Sequence, residues 1–209
     1  MSGIFVTFEG IEGCGKSTQL AMLVDWLQKN GHEAIATREP GGSEIGEKIR
    51  TILQGGNRGD IFSVRAEILL FEASRAQHME EKILPALESG KIVLCDRFSD
   101  STVVYQGAAR GMDADVIKFL NAFAAQGRSP DFTVLIDVAI ETGFRRIADS
   151  SRRRDRIEQE DAIFFAKARN CYLKLASEEE RFFTVDGTAN TEIIHGKIKD
   201  EFAGRFFGN

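Results

Sequence analysis

The stretch that decides the fold is Gly10-Ile-Glu-Gly-Cys-Gly-Lys-Ser17, which follows directly on the apolar run Ile4-Phe-Val-Thr-Phe-Glu9. Gly10, Gly15, Lys16 and Ser17 stand at the offsets of a phosphate loop between a strand and a helix. Glycines there let backbone N–H groups turn inward around a phosphate. Lys16 reaches the β- and γ-phosphates of a polyphosphate, and the Ser17 hydroxyl offers an oxygen to Mg²⁺. The helix that starts at Ser17 adds its positive end. Gly10, Ile11, Glu12, Gly13, Cys14, Gly15, Lys16, Ser17 and Thr18 are therefore the candidate nucleotide-binding loop. Gly-x-Gly-x-x-Gly does not occur in it, so it is not a dinucleotide fingerprint.

Outward from this loop, strand and helix signals alternate. Ile4–Glu9, Ala34–Thr37, Lys91–Cys95, Phe132–Ile136 and Phe182–Val185 read as strands. Ser17–Lys29, Glu44–Leu53, Ala66–Glu88, Asp115–Ala125, Ile163–Ala176 and Glu192–Phe206 read as helices, with Pro85 bending the third of them. Five short, nearly all-apolar strands separated by helices indicate an α/β fold whose five-stranded parallel sheet is flanked by helices on both faces. Ligands bind such sheets beyond the carboxyl ends of the strands. The notable sequences lie there: GIEGCGKS after the first strand, TREPGG after the second and Asp96-Arg97-Phe98 after the third.

Asp96 at a strand end can hold Mg²⁺ through water, and Arg97 can fork onto a phosphate. Taken alone, such a pair is as often a simple surface ion pair. Ser151-Arg-Arg-Arg-Asp-Arg-Ile-Glu158 concentrates four arginines in five positions. It reads either as a solvated charged loop or as a lid that closes over transferring phosphates and excludes water. Phe71 and Arg75 share a helix face and suit a nucleobase; the plainer reading puts Phe71 in the core and Arg75 on the surface. TREPGG is a turn in which a cis Glu39–Pro40 bond is possible. His32, His78 and His195 stand in no metal or triad spacing.

Composition bounds the rest. The 209 residues carry a net charge of −5, with 43% hydrophobic and 28% charged residues, as in a globular domain. An acidic chain makes a poor nucleic-acid coat. No run approaches the roughly 20 apolar residues that span a bilayer. No signal-peptide pattern precedes the first strand, and Cys14, Cys95 and Cys171 are scattered and odd in number. Together these features read as one domain, residues 1–209, in the cytoplasm with free thiols.

FEGIEGCGKST, TREPGG, FEASRAQH, DRFSDSTVVYQG and RRRDRIE occur in that order. Together, from Phe5 to about Tyr172, they resemble bacterial thymidylate kinase, a nucleoside monophosphate kinase. The resemblance implies a three-layer P-loop NTPase (nucleotide kinase) fold and a homodimer. It implies transfer of the γ-phosphoryl of ATP, with Mg²⁺, to dTMP, giving dTDP and ADP for dTTP synthesis. By motif, Phe71 would stack on thymine, Arg75 would bond the base and Thr102 would lie near the ring nitrogen. Tyr105 would lie against the sugar, Gln106 would line the same pocket, and Arg97 with Arg38 would hold the acceptor phosphate. Glu12 would face the 3′-hydroxyl and the metal region, where Ser17 and Asp96 would ligate.

The loop carries no cation besides Lys16, so added positive charge would come from a lid at about 148–160. Arg152, Arg153, Arg154 and Arg156 all compete for that role, and Arg156 belongs to DRIE. Two rivals stand beside this reading: another nucleoside monophosphate kinase, and a nucleotide-binding protein without transfer activity.

Overall fold

Alternate residues of β1 (Phe5–Glu9) go to opposite sides of the sheet, and both sides are buried. Val6 and Phe8 join one core with Leu20, Leu23 and Leu27 of α1 and with Phe164, Phe165 and Phe202. Phe5 joins a second core with Val93, Cys95, Phe98, Met79 and Ile83. Two cores, one per face, explain why the strands read as continuous apolar runs rather than as alternating ones.

The computed structural model describes residues 3–55, 63–149 and 155–208. Its five strands are β1, β2 (Ala34–Arg38), β3 (Ile92–Asp96), β4 (Phe132–Asp137) and β5 (Phe182–Asp186). They form one sheet in the order β2-β3-β1-β4-β5, and every pairing is parallel. The expected α/β fold with a five-stranded parallel sheet is what forms. Helix α1 (Lys16–Lys29) follows the phosphate loop, and α2 (Glu44–Gln54) is capped by the Ser43 side chain, which accepts from Gly46 N.

The long helical stretch expected over Ala66–Glu88 forms without interruption and contains a π-helical turn. Helix α3 (Val64–His78) runs into a π-helical turn, Met79–Ile83, and then α4 (Leu84–Glu88). Pro85 lies just past the π-helical turn, whose widened backbone accommodates its ring and its missing N–H.

Two helical elements were not expected. Helix α5 (Ser99–Thr102) continues as a π-helical segment, Val103–Ala109, through a sequence rich in β-branched residues. Helix α7 (Ile140–Asp149) follows β4. Between them lies α6 (Ala114–Ala124), and α8 (Ala162–Glu178) and α9 (Thr191–Phe206) complete the chain.

The expected lid falls partly on 150–154, outside the described residues, and Arg152, Arg153 and Arg154 fall there too. Its described part holds a short 3₁₀ turn, Ile157–Gln159. The Glu39–Pro40 bond is cis.

Candidate active site

The strand ends bring three loops to one edge. In the sheet register Arg38 pairs with Asp96 and Asp96 with Phe8, so the segments after β1, β2 and β3 open side by side. They surround a cavity of about 920 Å³.

The loop after β1 needs its glycines for two separate reasons. Gly10, Gly13 and Gly15 have φ of 137°, 74° and 106°, which side-chain-bearing residues rarely adopt. In addition, a Cβ on Gly13 would sit 2.5 Å from Gly143 O, and one on Gly143 would sit 2.6 Å from Glu12 O. Helix α7 therefore presses its backbone against the loop. One turn on, Arg146 donates to Gly13 O (3.3 Å), Cys14 O (3.4 Å) and Gly187 O (2.9 Å).

Lys16 begins α1 and folds back onto the loop, donating to Gly10 O at 2.9 Å and Ile11 O at 3.0 Å, with Cys14 Sγ at 3.5 Å. Glu12 to Thr18 line the cavity, whereas Gly10 and Ile11 stay behind it and supply those carbonyls. Ser17 Oγ donates to Asp96 Oδ2 at 2.5 Å. A hydroxyl and a carboxylate thus meet at the loop's mouth. Among the described residues no cluster of three His, Cys, Asp or Glu side chains could cage a metal. A donor pair of this kind fits Mg²⁺, which takes one or two protein oxygens and completes its shell with water and phosphate.

Beside the loop stands a dense side-chain network. Arg97 donates from Nη2 to Glu12 Oε1 (2.6 Å) and from Nη1 to Ser101 Oγ (3.2 Å). Nη1 also reaches the hydroxyls of Tyr105 and Tyr172, both at 3.3 Å. Tyr105 donates to Glu12 Oε2 at 2.8 Å. Arg97 has φ of 70°, a left-handed conformation that costs a non-glycine residue of order 1 kcal/mol or more. That backbone turns the guanidinium back over the site.

Beneath it, Glu9 is wholly buried and accepts from Phe98 N (2.8 Å), Ser101 Oγ (2.7 Å) and Tyr172 OH (2.7 Å). Burial, aided by the nearby Asp100 carboxylate, pushes the Glu9 carboxyl up to about 7.

On the other side of the cavity Arg75 is 2% exposed. It donates to Glu39 (2.8 Å), Glu72 (2.6 Å), Asn121 Oδ1 (2.7 Å) and Thr102 Oγ1 (3.1 Å). Phe71 is half-buried and also lines the cavity. The plainer reading of this pair is thus reversed: the arginine is buried and the phenylalanine faces the opening. Two carboxylates stabilise Arg75 where an isolated charge would not survive burial. Gln106 lines the cavity and donates to Glu67 at 2.7 Å. Arg38 lines it too, half-exposed, and pairs with Glu47 at 2.9 Å.

Arg156 is placed elsewhere. Its guanidinium reaches back to Glu67 Oε2 (2.5 Å) and Leu53 O (3.3 Å), so it ties the turn after residue 155 to α2 and α3. Arg153 lies outside the described residues.

The family model for thymidylate kinase matches residues 8–198. The chain is 45% identical to the thymidylate kinase of Geotalea daltonii, over 99% of this chain and all of that one. It is 46% identical to the thymidylate kinase of Fervidobacterium nodosum, over 95% of this chain and 98% of that one. The crystal structure of thymidylate kinase from Ehrlichia chaffeensis superposes with a TM-score of 0.77 at 30% identity, covering 97% and 99% of the two chains. The chain belongs to the thymidylate kinase family.

Within this thymidylate kinase family member, sequence reasoning passed over Glu9, Arg50, Tyr172 and Arg146. Glu9 carried a signal: a charged residue closing an apolar strand has to be paired when buried. Arg50 lines the cavity near Arg38 and donates to Pro40 O at 2.9 Å. Burial, with Arg38 adding to it, pulls the Arg50 guanidinium below its usual range. Its place in an ordinary amphipathic helix left no mark. Tyr172 and Arg146 reach the site only through the packing of α8 and α7.

Proposed function

We infer that the chain is an ATP:dTMP phosphotransferase that makes dTDP and ADP. The observation that carries this reading is the single cavity shared by a phosphate loop and an arginine-rich acceptor wall, in a chain of this family.

ATP lies with its phosphates in the Gly10–Thr18 loop, where Lys16 exchanges the carbonyls of Gly10 and Ile11 for phosphate oxygens. dTMP lies across the strand ends. Its phosphate meets Arg97 and Arg38, with Arg50 beside them, and its base meets Phe71, Arg75, Thr102 and Gln106. Tyr105 and Glu12 stand at the sugar. The acceptor phosphate oxygen is already a nucleophile, so no strong base is needed; alignment and neutralisation of charge perform the catalysis. Mg²⁺, held by Ser17 and Asp96, would neutralise phosphate charge when bound. Arg156 acts by holding the residues around 155–160 in place, and a transferring-phosphate contact falls to a neighbour such as Arg153.

The single sheet supports one domain over residues 1–209. A homodimer is supported by exposed apolar side chains on three adjoining helices: Ile45 and Ile52 on α2, Leu69 on α3, Phe119 and Phe123 on α6. Unpaired thiols at Cys14, Cys95 and Cys171 support a reducing, cytoplasmic setting.

The test is ADP release from ATP and Mg²⁺ with dTMP, dUMP, dCMP, dGMP, AMP and UMP in parallel. Turnover on dTMP, with little beyond dUMP, is expected. Turnover on another monophosphate keeps the transfer machinery and removes the base assignments. Binding of ATP without any transfer removes the enzyme reading.

A further inference from the structure

Arg75 and Thr102 meet at 3.1 Å on the cavity wall, and the protons on this pair can be assigned. A guanidinium only donates, so Thr102 Oγ1 accepts from Arg75 Nη2. Among the described residues four of the five Arg75 N–H groups find acceptors, which leaves one on Nη2. The Thr102 hydroxyl must send its own proton elsewhere.

Behind it stands Glu72, whose Oε1 takes a bond from Arg75. Its Oε2 is buried and has no hydrogen-bond partner of good geometry among the described residues. An orphaned buried carboxylate oxygen needs a donor. The Thr102 hydroxyl lies close enough to counter, with Arg75, the burial that pushes the Glu72 carboxyl up. With the proton turned toward Glu72, the remaining lone pair of Thr102 Oγ1 serves the cavity. The wall then presents a donor from Arg75 next to an acceptor from Thr102.

We propose that Glu72 is a positioning residue that sets base specificity through Thr102. By taking the hydroxyl proton it makes the wall complementary to a ring carbonyl beside a ring N–H, the edge of thymine and uracil. The amino group and bare ring nitrogen of cytosine present the opposite order and are rejected. This rests on the acceptor-pocket reading above and adds the residue that fixes its polarity.

The test is the binding of dTMP, dUMP and dCMP, by titration calorimetry, to the wild-type chain and to Glu72→Gln, Thr102→Val and the double variant. Glutamine keeps an acceptor for Arg75 but offers N–H to Thr102, which reverses the hydroxyl. The expected result is a loss on the order of tenfold for dTMP and dUMP with dCMP unchanged or tighter. Thr102→Val should close the dTMP–dCMP gap by a similar factor, and the double variant should close it no further. Equal weakening of all three nucleotides in Glu72→Gln overturns the proposal. So does a gap that survives intact in Thr102→Val, a result that decides the matter even if Glu72→Gln does not fold. A wild-type chain that binds none of the three removes the acceptor-pocket reading itself.

Discussion

Between Gly10 and Ser17 the site is built from backbone: three glycines with positive φ, a lysine resting on two carbonyls, and a helix pressed against the turn. Around Arg97 it is built from side chains contributed by β1, the loop after it, α5 with its π-helical continuation, and α8. An added Cβ deforms the first kind of site, whereas truncating Lys16 leaves the backbone in place and removes the charge offered to phosphate. The second kind fails when a buried charge loses its partner.

The sharpest contrast should come from Lys16→Ala and Arg97→Ala. Each is expected to lower kcat/KM by about 10³-fold or more in the ADP-release assay. Only Arg97→Ala should also lower the unfolding free energy, by about 3 kcal/mol, since it removes the ion-pair partner of Glu12 and a positive charge beside buried Glu9. Near-normal kcat/KM in either variant breaks the assignment.

Glu9→Gln probes the floor of the same network. The folded carboxyl holds its proton to about pH 7, against an ordinary value of 4.5. Between those values the folded chain binds more protons than the unfolded one, so wild-type stability falls as pH rises through that window. The Gln variant lacks this loss. Its stability relative to wild type should climb by up to about 3 kcal/mol from pH 4.5 to 7 in urea titrations. A flat difference would mean that Glu9 ionises normally.

Gly13→Ala attacks the loop instead. Strain at positive φ and the collision with Gly143 should cost about 1–3 kcal/mol. ATP affinity should fall about tenfold while dTMP affinity moves less than twofold. Equal losses on both nucleotides would show that the two halves are not independent. The smallest change belongs to Glu47→Ala, which removes the half-exposed partner of Arg38 and the acceptor of Gly42 N–H; about 1 kcal/mol of stability is expected to be lost in thermal unfolding.

This division also explains what the sequence made legible. The phosphate loop is contiguous, and its glycines are set by local backbone geometry, so eight residues announced it. The five strands were legible because both faces of the sheet are buried. Ser99–Ala109 was not, because Thr102, Val103 and Val104 favour strands and only tertiary packing against α8 and α6 makes them helical. Helix α7 hid behind Gly143, a residue that weakens helical signals yet is required by the approach of Glu12. Arg75 was read toward the surface because burial of an arginine depends on Glu39, Glu72 and Asn121, which lie up to 46 residues away. Arg156 carried a motif, but nothing local said that Glu67 holds it.

The chain is acidic, yet Lys16, Arg38, Arg50, Arg97 and Arg146 all line one opening. Arg75 lines it too, as do Glu12, Glu39, Asp96, Asp155 and Glu158, so the opening carries a small positive excess in a chain of net charge −5. That local excess draws phosphate-bearing anions toward the cleft. Beyond the Debye length, about 8 Å at physiological ionic strength, salt erases that pull. Association of both nucleotides should slow together as salt rises, while their departure, governed by the contacts inside, should change far less.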